Sequence, residues 1–358
     1  MTIDAPFPYF GGKSRIADEV WDRFGDVPNY VEPFAGSLAV LLARPSEPHI
    51  ETVNDLDGMI ANFWRAVTAD PEAVAYWADW PVNEVDLHAR HLWLVGQRED
   101  MTARLMADPD WCDAKIAGWW VWGICSWIGS GFCSGDGDWI AEDGEFRQRP
   151  HLGNDGQGVH RKLPHLGDAG RGVHRQLPHL GDDGRGVHRQ LPHLGNAGQG
   201  VHRQLPHLGD AGQGVLDWFT ELAQRLRRVR VCCGDWSRVC GPTPTVKQGL
   251  TGVFLDPPYT FGEREADLYV EDNDVAAEVR AWAIEQGTDP RMRIALCGYE
   301  GEHEMPADWE CMAWKATGGY ASQGDSSNEN AARERVWFSP HCLKVDRPRA
   351  LGLFESLT

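Results

Sequence analysis

The chain has 358 residues, 42% of them apolar, and a formal net charge of −19. It is long enough to bury a sizeable core, its charge argues against indiscriminate binding to nucleic acid, and no apolar run approaches the ~20 residues of a membrane span. Its nine cysteines include no C-x-x-C pair, and Met1 to Pro8 has no basic-then-apolar pattern, so it reads as a cytoplasmic protein with reduced thiols, without a signal peptide or metal site.

The first stretch with chemical character is Pro8-Tyr9-Phe10-Gly11-Gly12-Lys13. Two glycines let backbone approach a ligand, and Lys13 precedes an amphipathic helix predicted over Ser14 to Arg23. Next comes a strand, Asn29 to Glu32, then the turn Glu32-Pro33-Phe34-Ala35-Gly36-Ser37, then a helix from Ser37 to Ala43. A glycine turn between a strand's carboxyl end and a helix suits a cofactor. A second strand, His49 to Val53, ends in Asn54-Asp55-Leu56-Asp57. An acid there can grip a ribose hydroxyl pair, or cap the helix predicted over Gly58 to Val67. Asp55, nearer the strand end, is preferred over Asp57 for the ribose.

Pro71 to Trp127 has helical periodicity and eight tryptophans, most of them expected in the core. The glycine-rich stretch from Gly118 to Phe132 reads as the entrance to a separate lobe. There follow four copies of a 14-residue unit, His151–Pro164, His165–Pro178, His179–Pro192 and His193–Pro206, and a partial copy, His207–Val215. Each carries three glycines, one proline and three aliphatic residues, too few for a core of its own, although stacked units can share one. From Arg147 to Arg238 there are 14 Lys/Arg against 8 Asp/Glu, so this segment carries +6 and the remainder −25. Arg147, Arg149, Arg161, Arg175, Arg189 and Arg203 thus become candidate phosphate contacts, and a solvated loop with no such role fits the same pattern.

After the repeats come a helix (Leu216 to Arg228), a strand (Val229 to Cys233) and Gly234-Asp235-Trp236. The decisive stretch is Gly252-Val253-Phe254-Leu255-Asp256-Pro257-Pro258-Tyr259. Val253 to Leu255 reads as a strand buried on both faces, ended by the double proline. Asp256 is then expected at the carboxyl end of a buried strand, where open α/β sheets bind ligands. An exocyclic amine is a poor nucleophile because its lone pair is delocalised into the ring. A carboxylate and the Pro257 carbonyl accepting its two N–H groups, with the Tyr259 ring stacked on the base, would favour a more tetrahedral nitrogen. A helix (Asn273 to Gln286) and strands at Arg293 to Cys297, Trp309 to Ala316 and Arg335 to Phe338 complete the chain, the last two as an antiparallel pair at a sheet edge.

In these stretches the chain resembles DNA adenine methyltransferases of the Dam type, phage enzymes in particular. The likeness rests on Tyr9 to Lys13, Glu32 to Gly36, Asp55, Asp235-Trp236 and the Asp-Pro-Pro-Tyr of Asp256 to Tyr259, five pieces in the family's order. It covers Pro6 to Ala66 and Leu216 to Phe338. The resemblance implies an α/β, Rossmann-like class I fold dependent on S-adenosylmethionine, formed by 1–80 and 216–358. It implies a target-recognition lobe between, its helical part in 81–150 and the repeats in 151–215. It further implies adenine N6 of double-stranded DNA as substrate, flipped out of the helix, and a restriction endonuclease as potential partner. Catalysis falls to Asp256, Pro257, Pro258 and Tyr259. The cofactor falls to Tyr9, Phe10, Gly11, Gly12, Lys13, Glu32, Pro33, Phe34, Gly36, Asp55, Asp235, Trp236 and Asp256. One departure stands out: Leu38 occupies the family's second turn glycine. Cytosine N4, RNA, and a DNA-binding protein with an inactive methyltransferase core are the rival readings.

Overall fold

The computed structural model describes residues 3–7, 9, 13–127, 132–133, 139–142, 145–148, 214–259, 270–314 and 333–345. Phe10, Gly11, Gly12, Arg149 and the repeats, with Arg161, Arg175, Arg189 and Arg203, lie outside them.

In chain order the first elements are α1 (Ala17–Phe24), β1 (Asn29–Glu32), α2 (Ala39–Leu42), β2 (Ile50–Asp55) and α3 (Gly58–Ala69). Three more helices follow, α4 (Pro71–Ala78), α5 (Glu84–Ala107) and α6 (Ala114–Ser126), and a hairpin of β3 (Trp139–Glu142) and β4 (Glu145–Gln148). The remainder is α7 (Val215–Leu226), β5 (Val229–Cys233), β6 (Thr251–Leu255), α8 (Val270–Gln286), β7 (Met292–Tyr299), β8 (Glu310–Ala313) and β9 (Glu334–Phe338).

Seven strands form one sheet in the order β5-β2-β1-β6-β7-β9-β8. The five from β5 to β7 are parallel, and β9 runs antiparallel to both β7 and β8. The edge pair read from the sequence is therefore present, with β9 inside the edge. Every residue of β1 and β6 is buried, as the covered centre of a parallel sheet requires, although β1 carries Asn29 and Glu32 at its two ends. Between β1 and β6 the winding changes direction, since β2 lies on one side of β1 and β6 on the other. The carboxyl ends of these two strands flank the crevice that such a switch creates.

One face of the sheet is covered by α1 and the helices from α3 to α7, the other by α8 and the turn after β5. Leu94, Met101 and Leu105 of α5, and Ile116, Trp120 and Cys125 of α6, belong to the same apolar cluster as Phe63 and Trp64 of α3. The tryptophan-rich helices thus continue the core of the sheet, with no break in packing near residue 80. Of the eight tryptophans, Trp120 and Trp122 are buried and Trp80 is 42% exposed.

α4 packs against both α6 and α7, the helices on either side of the repeat-bearing stretch. Arg225 of α7 is tied to β2 by two short bonds, Nη1 to Glu51 Oε2 at 2.6 Å and Nη2 to Glu51 Oε1 at 2.9 Å. Arg44 reaches the same carboxylate at 3.2 Å. Glu51 is 1% exposed, and a buried charge with two guanidinium partners persists only in such a network.

Candidate active site

Two groups of residues meet at the carboxyl ends of β1, β2, β5 and β6. The first is built on backbone. Gly36 has φ 45°, and a Cβ placed there would lie 2.7 Å from the Tyr9 ring, so only glycine fits beneath that aromatic. The Gly36 N–H donates to Asp55 Oδ2 at 2.9 Å, and the Asp57 N–H to Asp55 Oδ1, also at 2.9 Å. Asp55 therefore fastens the β1 turn to the end of β2. Its burial pushes the carboxyl up to about 7, against the pull of the Gly36 and Asp57 amides. Asp57 takes the capping role, accepting from the Met59 N–H at 2.8 Å at the start of α3.

Asn54, 1% exposed, donates through Nδ2 to the Pro33 carbonyl at 3.1 Å and the Gly234 carbonyl at 2.8 Å. One amide thus pins the exits of β1 and β5 side by side. Leu38 has φ 56° and ψ 26°, the left-handed conformation that a glycine adopts freely. The second-glycine position thus keeps a glycine backbone while carrying a side chain that is 0% exposed. Glu32 points inward: it is 2% exposed and accepts from the Tyr30 hydroxyl at 2.9 Å, and burial holds its carboxyl well above the usual range. Phe34 stacks on Trp236 with centroids 6.4 Å apart. Asp235 is exposed and accepts from the Ser237 N–H at 3.0 Å. Leu56, which sequence reasoning passed over, is 68% exposed directly after Asp55. Its place between two acids, Asp55 and Asp57, was the signal the sequence carried.

The second group is built on side-chain charge. Asp256 leaves β6 where the sequence predicts, with its side chain 18% exposed. Lys13 Nζ sits 2.9 Å from Asp256 Oδ1, and the Tyr259 hydroxyl donates to the same oxygen at 2.9 Å. Lys13 also lies 5.0 Å from the centroid of the Tyr259 ring and 5.6 Å from that of Trp314. Burial disfavours the charged form of Lys13, yet the Asp256 carboxylate outweighs it and holds the ammonium above the ordinary lysine range. The Tyr259 ring packs edge-on against Tyr299 at 4.7 Å. Pro257 is buried and Pro258 exposed. The start of the chain and the end of β6, far apart in sequence, therefore share one site.

Residues 9–80 match the family model for D12 class N6 adenine-specific DNA methyltransferases. This matched stretch, the D12 segment, spans 72 of the chain's 358 residues. The D12 segment contains Tyr9, Lys13, the turn from Glu32 to Gly36, and Asp55. Asp235, Trp236 and the run from Asp256 to Tyr259 lie beyond it, and the sheet brings them to the D12 segment through the pairing of β1 with β6 and β2 with β5. No curated protein matches the chain. Among the described residues no cluster of metal-ligating side chains occurs, and no helix is long and apolar enough to cross a membrane.

Proposed function

We infer that the chain transfers a methyl group from S-adenosylmethionine to the N6 amine of adenine in DNA. The observation that carries this reading is the Asp256 carboxylate, partly exposed at the switch point of the sheet and tied to Lys13 of the D12 segment.

The residues at the crevice suit such a donor. The Tyr9 ring lies against Gly36, where no side chain would fit, Asn54 Oδ1 is a buried acceptor without a hydrogen-bond partner among the described residues, and Leu56 offers an apolar surface to a flat ring beside Asp55. Tyr9, Phe10, Gly11, Gly12, Lys13, Glu32, Pro33, Phe34, Gly36, Asp55, Asp235, Trp236 and Asp256 are the proposed surroundings of the cofactor, Asp55 facing its ribose and Asp235 its adenine. The cofactor supplies a methyl group bonded to a sulfonium sulfur. Everything else falls to the chain.

The target base leaves the duplex, at a cost of a few kcal/mol, and stacks on Tyr259. Asp256 and the Pro257 carbonyl accept its two amine hydrogens. Pro258 stiffens the turn that presents them. As the N–C bond forms and the methyl's bond to sulfur breaks, the amine sheds one proton, and Asp256 is the carboxylate within reach of it. Positioning and electrostatics dominate, and no covalent link to the enzyme is needed. The arginines of the repeats are proposed phosphate contacts, and a partner endonuclease is a companion this activity admits.

Tritium transfer from labelled S-adenosylmethionine to adenine-containing duplex DNA tests the reading. Asp256→Ala is expected to abolish incorporation while its thermal unfolding stays cooperative. Normal turnover by that variant, or label in cytosine, defeats it.

A further inference from the structure

Glu334 opens β9, opposite Tyr299 of β7. Its side chain is buried, the residue being 3% exposed, and among the described residues Oε2 has no hydrogen-bond partner. A carboxylate so placed is normally paired or held neutral. Two contacts bind it to the Lys13 cluster. The Trp314 N–H donates to the Glu334 carbonyl at 3.2 Å, while the Trp314 ring lies 5.6 Å from Lys13 Nζ. Tyr299, its cross-strand neighbour, packs on Tyr259 at 4.7 Å. Lys13, Asp256 and Tyr259 act on its carboxyl from the site, and Glu302 from the turn after β7. Arg335 Nη1 is engaged by the Glu334 carbonyl at 2.9 Å. Burial pushes the carboxyl up to about 7, with Lys13 pulling it down and Asp256 pushing it further up.

Asp256 Oδ1 meanwhile accepts from both Lys13 and Tyr259. An ammonium at 2.9 Å draws charge from the carboxylate and weakens it as an acceptor for a substrate amine. Moving Lys13 away would restore that strength, but a buried cation without a partner is strongly disfavoured. The move therefore needs a second anion close by.

We propose that Glu334 is this second anion, a positioning residue that receives the Lys13 ammonium when a substrate amine reaches Asp256. Lys13 stays protonated throughout and no covalent bond changes; one ion pair is exchanged for another. The inference rests on the proposed adenine methylation for its purpose, and on the carboxylate pair around Lys13 for its physics.

Two measurements separate those layers. The first needs no activity: full-length wild type, Asp256→Asn, Glu334→Gln and the double variant are treated with acetic anhydride, and acetylation of Lys13 is followed by peptide mass spectrometry. With Glu334 available, Asp256→Asn should leave Lys13 nearly as protected as in wild type, while the double variant labels about tenfold faster. Lys115, held over the rings of Trp93 and Trp119, reports whether each variant is folded. Where Lys115 is also exposed, Asp256→Glu and Glu334→Asp replace the unfolded member. If Asp256→Asn labels as fast as the double variant, Glu334 does not hold Lys13 and the proposal fails, whatever the enzyme does to DNA.

The second measurement is the pH profile of methyl transfer. Below about pH 7 Glu334 is protonated and cannot receive the ammonium, so kcat falls as pH drops. Glu334→Gln should lower kcat rather than raise KM and should remove this acid limb, and Glu334→Asp should restore it. An unchanged limb in Glu334→Gln, or an effect confined to KM, overturns the proposal.

Discussion

The two halves of the crevice are made of different material. Around Gly36, Asp55 and Asn54, position is set by main-chain amides and carbonyls locked onto buried side chains. Around Asp256, Lys13 and Tyr259, position is set by side chains holding one another. The first half has a single arrangement available, because moving any member orphans a buried amide or carbonyl. The second can exchange partners without breaking a backbone bond. In the proposed function the rigid half receives the donor and the adaptable half receives the base.

Substitutions can break this contrast. The largest effect is expected from Asp55→Ala, which strands the Gly36 and Asp57 N–H groups and should cost about 3 kcal/mol of folding stability, read from urea unfolding. Asp256→Ala should lower the urea midpoint less, since Glu334 is proposed to receive the Lys13 ammonium, while removing methyl transfer. If Asp256→Ala proves the more destabilising, the distinction between the halves is wrong. Asp55 also sharpens the contrast through pH. Its carboxyl sits at about 7 in the fold and near 4 when unfolded, so the native state binds the extra proton. The stabilisation is fully present below about pH 4 and lost as pH rises through about 7. Asp55→Asn should flatten the fall in stability over that window; an unaltered slope would show that Asp55 does not titrate there.

A smaller difference is expected between two substitutions of Leu38. Losing its buried side chain costs about 2–5 kcal/mol, so both Leu38→Ala and Leu38→Gly should destabilise. At φ 56°, however, glycine escapes a penalty of roughly 1 kcal/mol that alanine retains. Leu38→Gly should therefore unfold at higher urea than Leu38→Ala, the reverse of the usual helix order. The opposite ranking would deny the left-handed backbone. The smallest change is expected from Tyr259→Phe, which removes one hydrogen bond to Asp256 and keeps the ring. A loss of about 1 kcal/mol in kcat, roughly fivefold, is expected. A loss as complete as that of Asp256→Ala would move the hydroxyl into the chemistry.

Much of the sheet was legible in the sequence because short strands are bounded by proline and glycine turns. β1 and β5 begin and end at the predicted residues, and β6 delivers Asp256 at its carboxyl end. Element ends were less exact: Lys13–Arg15 form a 3-10 turn, so α1 begins at Ala17, and β2 runs Ile50–Asp55 where the sequence predicts His49 to Val53. Long-range packing was less legible. Periodicity finds the helices of the Trp-rich stretch but does not say that they share a core with α3, since the same tryptophans would serve a lobe of their own. Leu38 announced itself as an exception, while the φ it adopts comes from the turn between Ala35 and α2. Glu334 was invisible as a site residue. It is a lone acid at the head of an edge-pair strand, and only the insertion of β9 between β7 and β8 sets it against Tyr299 and Trp314, beside the Lys13 cluster.

The anchoring of α6 and α7 on α4, and of Arg225 on Glu51, has a consequence for how this gene product can change. Both ends of the stretch from Trp127 to Gly214 are fixed by contacts outside that stretch, so adding or deleting a 14-residue copy disturbs no described strand. Near-identical tandem copies invite slippage during replication, and a scaffold indifferent to their number would let relatives differing in copy count all fold alike.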